Sequence, residues 1–237
     1  MKEYLLFDAD GTLYDFGKTE KIALSALFNE LGIPENLLPV YHEGNRKCWD
    51  MYEKGEITLE ELEPLRFQLF FDRIGNNTDS TEAGNEYARL LGENGILIDG
   101  AREFLDEVRE RYHLEIITNG IARVQKARFK GTDTLHYFEN IFISQEIGYA
   151  KPDPRFFSHV LSDLDTAPEN CLVIGDSDSS DIKGAINSGI DSVFISFTGK
   201  TSSLADHSVS SYQELLSLLD DFNQIDIKDK KHIRTDR

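Results

Sequence analysis

The sequence predicts an α/β fold in which a parallel sheet is covered by helices and interrupted after its first strand by an all-helical insertion. Three observations lead there. Five short apolar runs, at 4–7, 114–117, 141–143, 172–174 and 193–195, are rich in Ile, Leu, Val and Phe and do not alternate with polar residues. Strands covered on both faces read this way. Amphipathic stretches of helical period separate the later runs, the pattern of a parallel sheet with crossover helices. The interval between the first two runs, from about residue 14 to 113, is far longer than an ordinary crossover and is itself patterned as helix.

Taken in order, the first strand, Tyr4–Phe7, stops at Asp8. A helix over 18–31 ends at Gly32 with Pro34 beyond it. A second lies within 39–52. A third follows Thr58, whose pairing with Glu61 forms a capping box. Pro64 falls inside that segment, so the third helix is expected to kink or to begin later. A fourth covers 80–91, and 92–98 returns the chain to the sheet. A helix within 100–112 places Phe104, Leu105 and Val108 on one face. Further helices are expected over 154–164 and 212–222. The predicted division is an α/β unit of residues 1–14 and 96–225, a helical unit of 15–95, and a frayed tail of 226–237 with little apolar content.

A chain of 237 residues buries enough surface to need no disulfides or structural metal. Its two cysteines make no disulfide framework, and Cys171 opens an apolar run, as a buried thiol does. The N-terminal apolar stretch is four residues long and runs into a carboxylate, unlike a signal peptide. No apolar run approaches the 18 residues of a membrane span. A cytoplasmic protein with no membrane association is expected. The net charge of −18 argues against a nucleic-acid binder, which needs a basic footprint.

The chemistry collects where the strands end. In an open α/β sheet, ligands bind outside the carboxyl ends of the strands. The first strand leads into Asp8-Ala-Asp10-Gly-Thr12, the second into Thr118-Asn119-Gly120, the third towards Lys151-Pro-Asp, and the fourth into Gly175-Asp176-Ser-Asp178-Ser-Ser-Asp181. In a parallel sheet these segments converge. Two like charges about 4 Å apart repel by about 4 kcal/mol at an effective dielectric near 20, so clustered carboxylates call for a cation or raised pKa values. An all-oxygen ligand set suits a hard divalent ion such as Mg2+. One carboxylate of the first pair can attack as nucleophile while the other serves as general acid and base. Thr118 and Asn119 can hold phosphate oxygens, and Lys151 can balance charge on a phosphoryl group in transfer.

These four segments, in this order, resemble motifs I to IV of the haloacid dehalogenase superfamily, and the resemblance spans nearly the whole chain. It implies a Rossmann-like three-layer core with the helical insertion as a mobile cap. It implies Asp8 as nucleophile, Asp10 as acid and base, and Mg2+ held by the Asp8 side chain, the Asp10 carbonyl and Asp176. Thr12 and Asp181 stand behind that shell, Asp181 acting through metal-bound water or Lys151. The runs Glu139–Pro152 and Gly175–Ile182 are similar to bacterial pyrimidine nucleotidases of this superfamily. A small phosphorylated metabolite is the implied substrate, most simply a nucleoside 5′-monophosphate with a pyrimidine or non-canonical base. The second Asp of motif I favours phosphoryl transfer over dehalogenation.

Other readings compete. A sugar-phosphate phosphatase or a β-phosphoglucomutase shares the same motif set. A non-catalytic phosphate-binding or signalling module gathers similar residues, but receiver domains carry them in another order on about half the length. The segments at Asp8 and Asp176 lack the Gly and Glu that a calcium loop requires. Trp49, Tyr52, Phe67, Phe70 and Phe71 either line a base-binding pocket or form the core of the helical unit. Asp178 adds a carboxylate whose role the sequence leaves open.

Overall fold

A computed structural model describes residues 2–222, so the predicted tail lies outside the described residues. Six strands form one parallel sheet in the order β3-β2-β1-β4-β5-β6. They are β1 (Tyr4–Phe7), β2 (His113–Thr118), β3 (Asn140–Ile143), β4 (Cys171–Gly175), β5 (Asp191–Ile195) and β6 (His207–Val209). All pairs are parallel, with Phe7 level with Ile116 on one side and Ile174 on the other. The five predicted strands are present, each within two residues of its expected limits. The sixth carries only one buried residue in three, which left no apolar run to read.

Two compact units make up the chain. The first contains the sheet: the residues up to Tyr14, Leu97–Asn119, and the described residues from Leu135 on. Its helices are α5 (Ala101–Val108), α7 (Ser144–Ile147), α8 (Pro154–Asp163), α9 (Lys183–Ser188) and a last one over residues 212–222. One face of the sheet packs Leu6, Ile117 and Val173 against Phe156, Phe157 and Val160 of α8. On the other, Phe7 meets Phe104 edge-on, and Phe104 stacks on Tyr212. The result is the three-layer α/β arrangement. Cys171 is fully buried, and burial lifts its thiol to about 11, as expected of an inert structural cysteine.

The second unit is Asp15–Ile96 with Gly120–Thr134. It holds α1 (Phe16–Glu30), α2 (Leu38–Glu53), α3 (Leu59–Ile74), α4 (Ser80–Glu93) and α6 (Ala122–Gly131). Helix α3 starts at Thr58, where both hydrogen bonds of the capping box form, and it continues through Pro64 instead of starting later. Gly84 of α4 fits against this stretch: a Cβ there would lie 2.8 Å from the Glu63 carbonyl oxygen. Phe67, Phe70 and Phe71 are buried with Tyr41, Tyr87 and Leu91, so these three aromatics are core; Trp49 and Tyr52 are partly buried at its margin. The sequence reading placed 120–134 with the sheet. There Gln125 and Arg128 share the buried face of α6 with Val124 and Phe129, which blurs its apolar stripe. Among the described residues no helix is long and apolar enough to cross a membrane.

Candidate active site

The first motif is shaped by its glycine. The Asp8 N–H donates to the Ile174 carbonyl (2.9 Å), extending the β1–β4 ladder by one residue. The chain then turns, with the N–H groups of Leu13 and Tyr14 both donating to the Ala9 carbonyl at 3.0 and 2.9 Å. Gly11 sits in this turn at φ +88°, and a Cβ there would lie 2.1 Å from Asp176 Oδ2. Backbone conformation and the approach of a carboxylate therefore both require glycine. Thr12 is fully buried and its hydroxyl has no hydrogen-bond partner, while its carbonyl accepts from the Tyr212 hydroxyl (2.7 Å).

Lys151 is the hub of the site. Its side chain is 1% exposed, and Nζ donates to Asp8 Oδ1 (2.8 Å), Asp181 Oδ1 (2.6 Å) and the Ile117 carbonyl (2.7 Å). All three ammonium donors are thereby used. Asn119 fixes the lysine from behind: its Nδ2 donates to the Lys151 carbonyl (2.8 Å) and its Oδ1 accepts from the Lys151 N–H (2.9 Å). Asn119, expected among the phosphate contacts, uses one amide N–H and its carbonyl oxygen to position Lys151.

Asp181 follows β4 on a wide helical turn, Asp178–Ile182, capped by Ser177. Its Oδ2 accepts from the Ser177 N–H (3.1 Å), and it stands where a Cβ on Gly175 would be, 2.3 Å away. Asp178 leaves this cluster. Its Oδ1 accepts from the Ser202 hydroxyl, and Ser202 Oγ accepts from the N–H groups of Leu204 and Ala205. Its carboxylate tethers the loop after β5. Thr118 closes β2 and is buried beside Ile143 in register. Asp10 lies in the turn after β1, and its charge acts on both Asp8 and Asp176.

Oxygens of Asp8, Asp176 and Asp181 all lie within 4.8 Å of one another. Against three carboxylates the site sets the single ammonium of Lys151. Burial pushes Asp8 well above the usual carboxylate range; Lys151 opposes this, and Asp181, Asp176 and Asp10 add to it. Asp176 is exposed along part of its side chain, but loss of water around its carboxyl and the charge of Asp181 push it up to about 7. Burial disfavours the charge on Lys151, but Asp181 and Asp8 outweigh it and hold the ammonium above its ordinary pKa. The cluster is thus short of positive charge while its lysine is fully committed. A hard divalent cation among oxygen donors meets that need. The residues present fit Mg2+, with Asp8 and Asp176 the carboxylates best placed to hold it and Asp181 already occupied by Lys151 and the Ser177 N–H.

The sequence reading thus finds Asp8, Asp10, Thr12, Thr118, Asn119, Lys151, Asp176 and Asp181 at one edge of one sheet. It missed the Ser177 N–H, the Ile117 carbonyl and Tyr212. Backbone groups carry no residue signature, and Tyr212 supports Thr12 from a separation of 200 residues.

Comparison with known proteins agrees with this geometry. The haloacid dehalogenase-like hydrolase family matches residues 3–189. The chain is 33% identical over 200 residues to the HAD-hydrolase YfnB of Bacillus subtilis, across 82% of this chain and 85% of that protein. It is 33% identical over 225 residues to the pyrimidine 5′-nucleotidase PynA of Streptococcus pneumoniae, across 92% of this chain and 95% of that one. The pyrimidine 5′-nucleotidase YjjG of Escherichia coli is 29% identical over 189 residues, with coverage of 79% and 83%. A structure of YfnB bound to magnesium matches the fold with a TM-score of 0.87 at 30% identity, over 92% of this chain and 99% of that chain. On this evidence of motif, fold and kinship, the chain belongs to the haloacid dehalogenase-like hydrolases, as a phosphatase of that family.

Proposed function

We propose that the protein hydrolyses nucleoside 5′-monophosphates, pyrimidine nucleotides foremost, through a phosphorylated Asp8. The observation that carries the chemistry is the state of the Asp8 carboxylate. Lys151 grips Oδ1, and no hydrogen bond of the described residues occupies Oδ2. One oxygen is anchored and the other is open to attack phosphorus. In the first step, Asp8 displaces the ester oxygen, which takes a proton from Asp10. In the second, Asp10 accepts a proton from water as the water attacks the aspartyl phosphate, releasing phosphate and restoring Asp8.

Lys151 balances one charge of the transferring group and keeps Asp8 and Asp181 apart. In this reading Thr118, at the end of β2, donates to a phosphate oxygen. Asp8 and Asp176, with the Asp10 carbonyl, would hold Mg2+, which when bound supplies the positive charge that keeps Asp8 ionised and polarises the phosphoryl group. The nucleotide assignment is supported by PynA and YjjG, whose names give pyrimidine nucleotides as their substrates.

The test is phosphate release from a panel of nucleoside monophosphates and sugar phosphates, with Mg2+ and then with EDTA. Turnover of nucleotides that EDTA and Asp8→Asn both abolish is the expected result. Turnover confined to sugar phosphates would reject the nucleotide assignment, and turnover that survives Asp8→Asn would reject the nucleophile.

A further inference from the structure

Both carboxylates of the proposed reaction, Asp8 and Asp10, lie within residues 7–12, and one pair of rings holds both ends of that stretch. At its start, Phe7 meets the Phe104 ring edge-on, with centroids 5.8 Å apart. Phe104 stacks on Tyr212 at 4.9 Å, the planes 19° apart. Phe197 also packs on the Tyr212 ring, at 5.0 Å. At the far end of the stretch, the Tyr212 hydroxyl reaches back and donates to the Thr12 carbonyl (2.7 Å), a buried bond across 200 residues of chain. The turn between these ends closes largely on itself. The N–H groups of Leu13 and Tyr14 go to the Ala9 carbonyl, and that of Gly11 goes to the Tyr14 carbonyl (2.8 Å). Two bonds tie it to the rest of the sheet unit: the Ile98 N–H to the Leu13 carbonyl (2.9 Å), and Tyr212 to Thr12.

Asp8 is held by the β1–β4 ladder and by Lys151. Asp10 stands two residues further on, inside the turn, so its place relative to Asp8 depends on how the turn is held. We infer that Tyr212 is a positioning residue for the general acid: by pinning the Thr12 carbonyl, it sets where the Asp10 carboxyl stands beside Asp8. Tyr212 touches no reacting atom and acts through the backbone. A general acid must come within hydrogen-bond reach of the oxygen it protonates, and a displacement of about 1 Å costs about 100-fold. The inference rests on the phosphoaspartate reading above and adds a residue to it. It also separates two kinds of ester. As the Asp8–phosphorus bond forms and the ester bond breaks, a sugar alkoxide takes the Asp10 proton. A p-nitrophenoxide leaves as a stable anion and needs none.

The test is single turnover with the full-length protein in excess, at Mg2+ concentrations that calorimetry shows to saturate each variant. Release of the alcohol or phenol then reports the first step alone. The substrates are UMP, or ribose 5-phosphate if nucleotides are not turned over, and p-nitrophenyl phosphate. Tyr212→Phe, which loses only the hydroxyl, should slow release from the sugar ester by about 10–100-fold and release of p-nitrophenol by less than about 3-fold. Asp10→Asn should show the same discrimination, larger. Leu215→Ala, a core change on the same helix, should leave the ratio of the two rates unchanged. If circular dichroism shows that Tyr212→Phe does not fold, Phe104→Leu takes its place: it removes the face under the Tyr212 ring and should shift the ratio the same way by less. Equal slowing of both esters, slowing of neither, or an equal shift in Leu215→Ala overturns the inference. If Asp10→Asn discriminates and Tyr212→Phe does not, the inference fails and the mechanism stands. If Asp10→Asn slows both esters alike, the general-acid reading fails, and the inference with it.

Discussion

Lys151 and Arg66 are both buried cations, one in each unit, 1% and 2% exposed, and their surroundings answer them in opposite ways. Lys151 donates to two carboxylates and a carbonyl and has no donor left. Arg66 rests on aromatic faces with two donors unmet. A buried charge answered within the chain is part of a finished device: removing it breaks something already built. A buried charge with donors left open is a standing cost, so removing it is expected to cost little. The cluster in the sheet unit is thus answered by its own lysine, while the helical unit keeps a buried cation against aromatic faces.

Substitutions can break or sharpen that contrast. The largest effect belongs to Asp8→Asn, which keeps shape and loses the nucleophile. Turnover should fall by about 10,000-fold or more with the fold unchanged, as seen when nucleophiles are removed from other enzymes; single-turnover assays measure it. Next, Lys151→Met strands Asp8 and Asp181 without their counter-charge. In metal-free buffer it should lose about 3–5 kcal/mol of stability to urea. Arg66→Met, in the opposite setting, removes an unmet charge and should cost less than about 1 kcal/mol or stabilise. If the two substitutions destabilise alike, the contrast between them is wrong.

Glu115 extends the comparison to an anion. It is fully buried in β2, its Oε2 accepts from the Asn140 N–H, and its Oε1 has no partner. Burial lifts it to about 7, although the hydrogen bond from Asn140 opposes the rise. Because the folded pKa lies above the unfolded one, the stability it lends is complete below about pH 4.5 and is lost as pH rises through 7. Glu115→Gln should therefore stabilise the protein at pH 8.5 by about 1–3 kcal/mol and hardly at pH 4.5, in paired urea melts. A gain of equal size at both pH values would show that packing, not charge, is at work.

The smallest effect concerns Asp176. Its folded pKa of about 7 means that its contribution declines between about pH 4 and 7. Mg2+ favours the ionised form, so the rise in Tm on adding Mg2+ should be larger at pH 8 than at pH 5. Solvent contact at Asp176 limits the difference to about 1 kcal/mol, or roughly 2–4 °C for a chain of this size. A shift independent of pH would remove Asp176 from the cation site.

Much of this was legible in the sequence because parallel strands buried on both faces declare themselves as apolar runs, and each run ended in its chemistry. Asp8, Lys151 and Asp176 could be placed at one edge from that alone. What was not legible has physical causes. Helix α6 buries Gln125 and Arg128, so its polar residues hid its packing. Only the fold shows the Asn119 side chain bonded to the Lys151 backbone, since that contact spans 32 residues. Arg66 lies in a helix dense in charged residues, where nothing distinguishes it from its solvated neighbours until its burial is seen. Asp178, whose role the sequence leaves open, is a tether because the loop after β5 returns beside it.

The pairing of β1 with β4 has a consequence for how the protein comes into being. Phe7 and Ile174 are partners in the ladder, 167 residues apart along the chain. Closing so long a loop is slow, and topologies dominated by such distant contacts fold slowly. During synthesis Asp8 is made well before Asp176 and Asp181, its neighbours in the folded cluster. A chain that ends before β4 therefore carries Asp8 without the carboxylates that surround it in the folded protein. The strand order of the sheet thus makes the assembly of the acidic cluster one of the late events in folding.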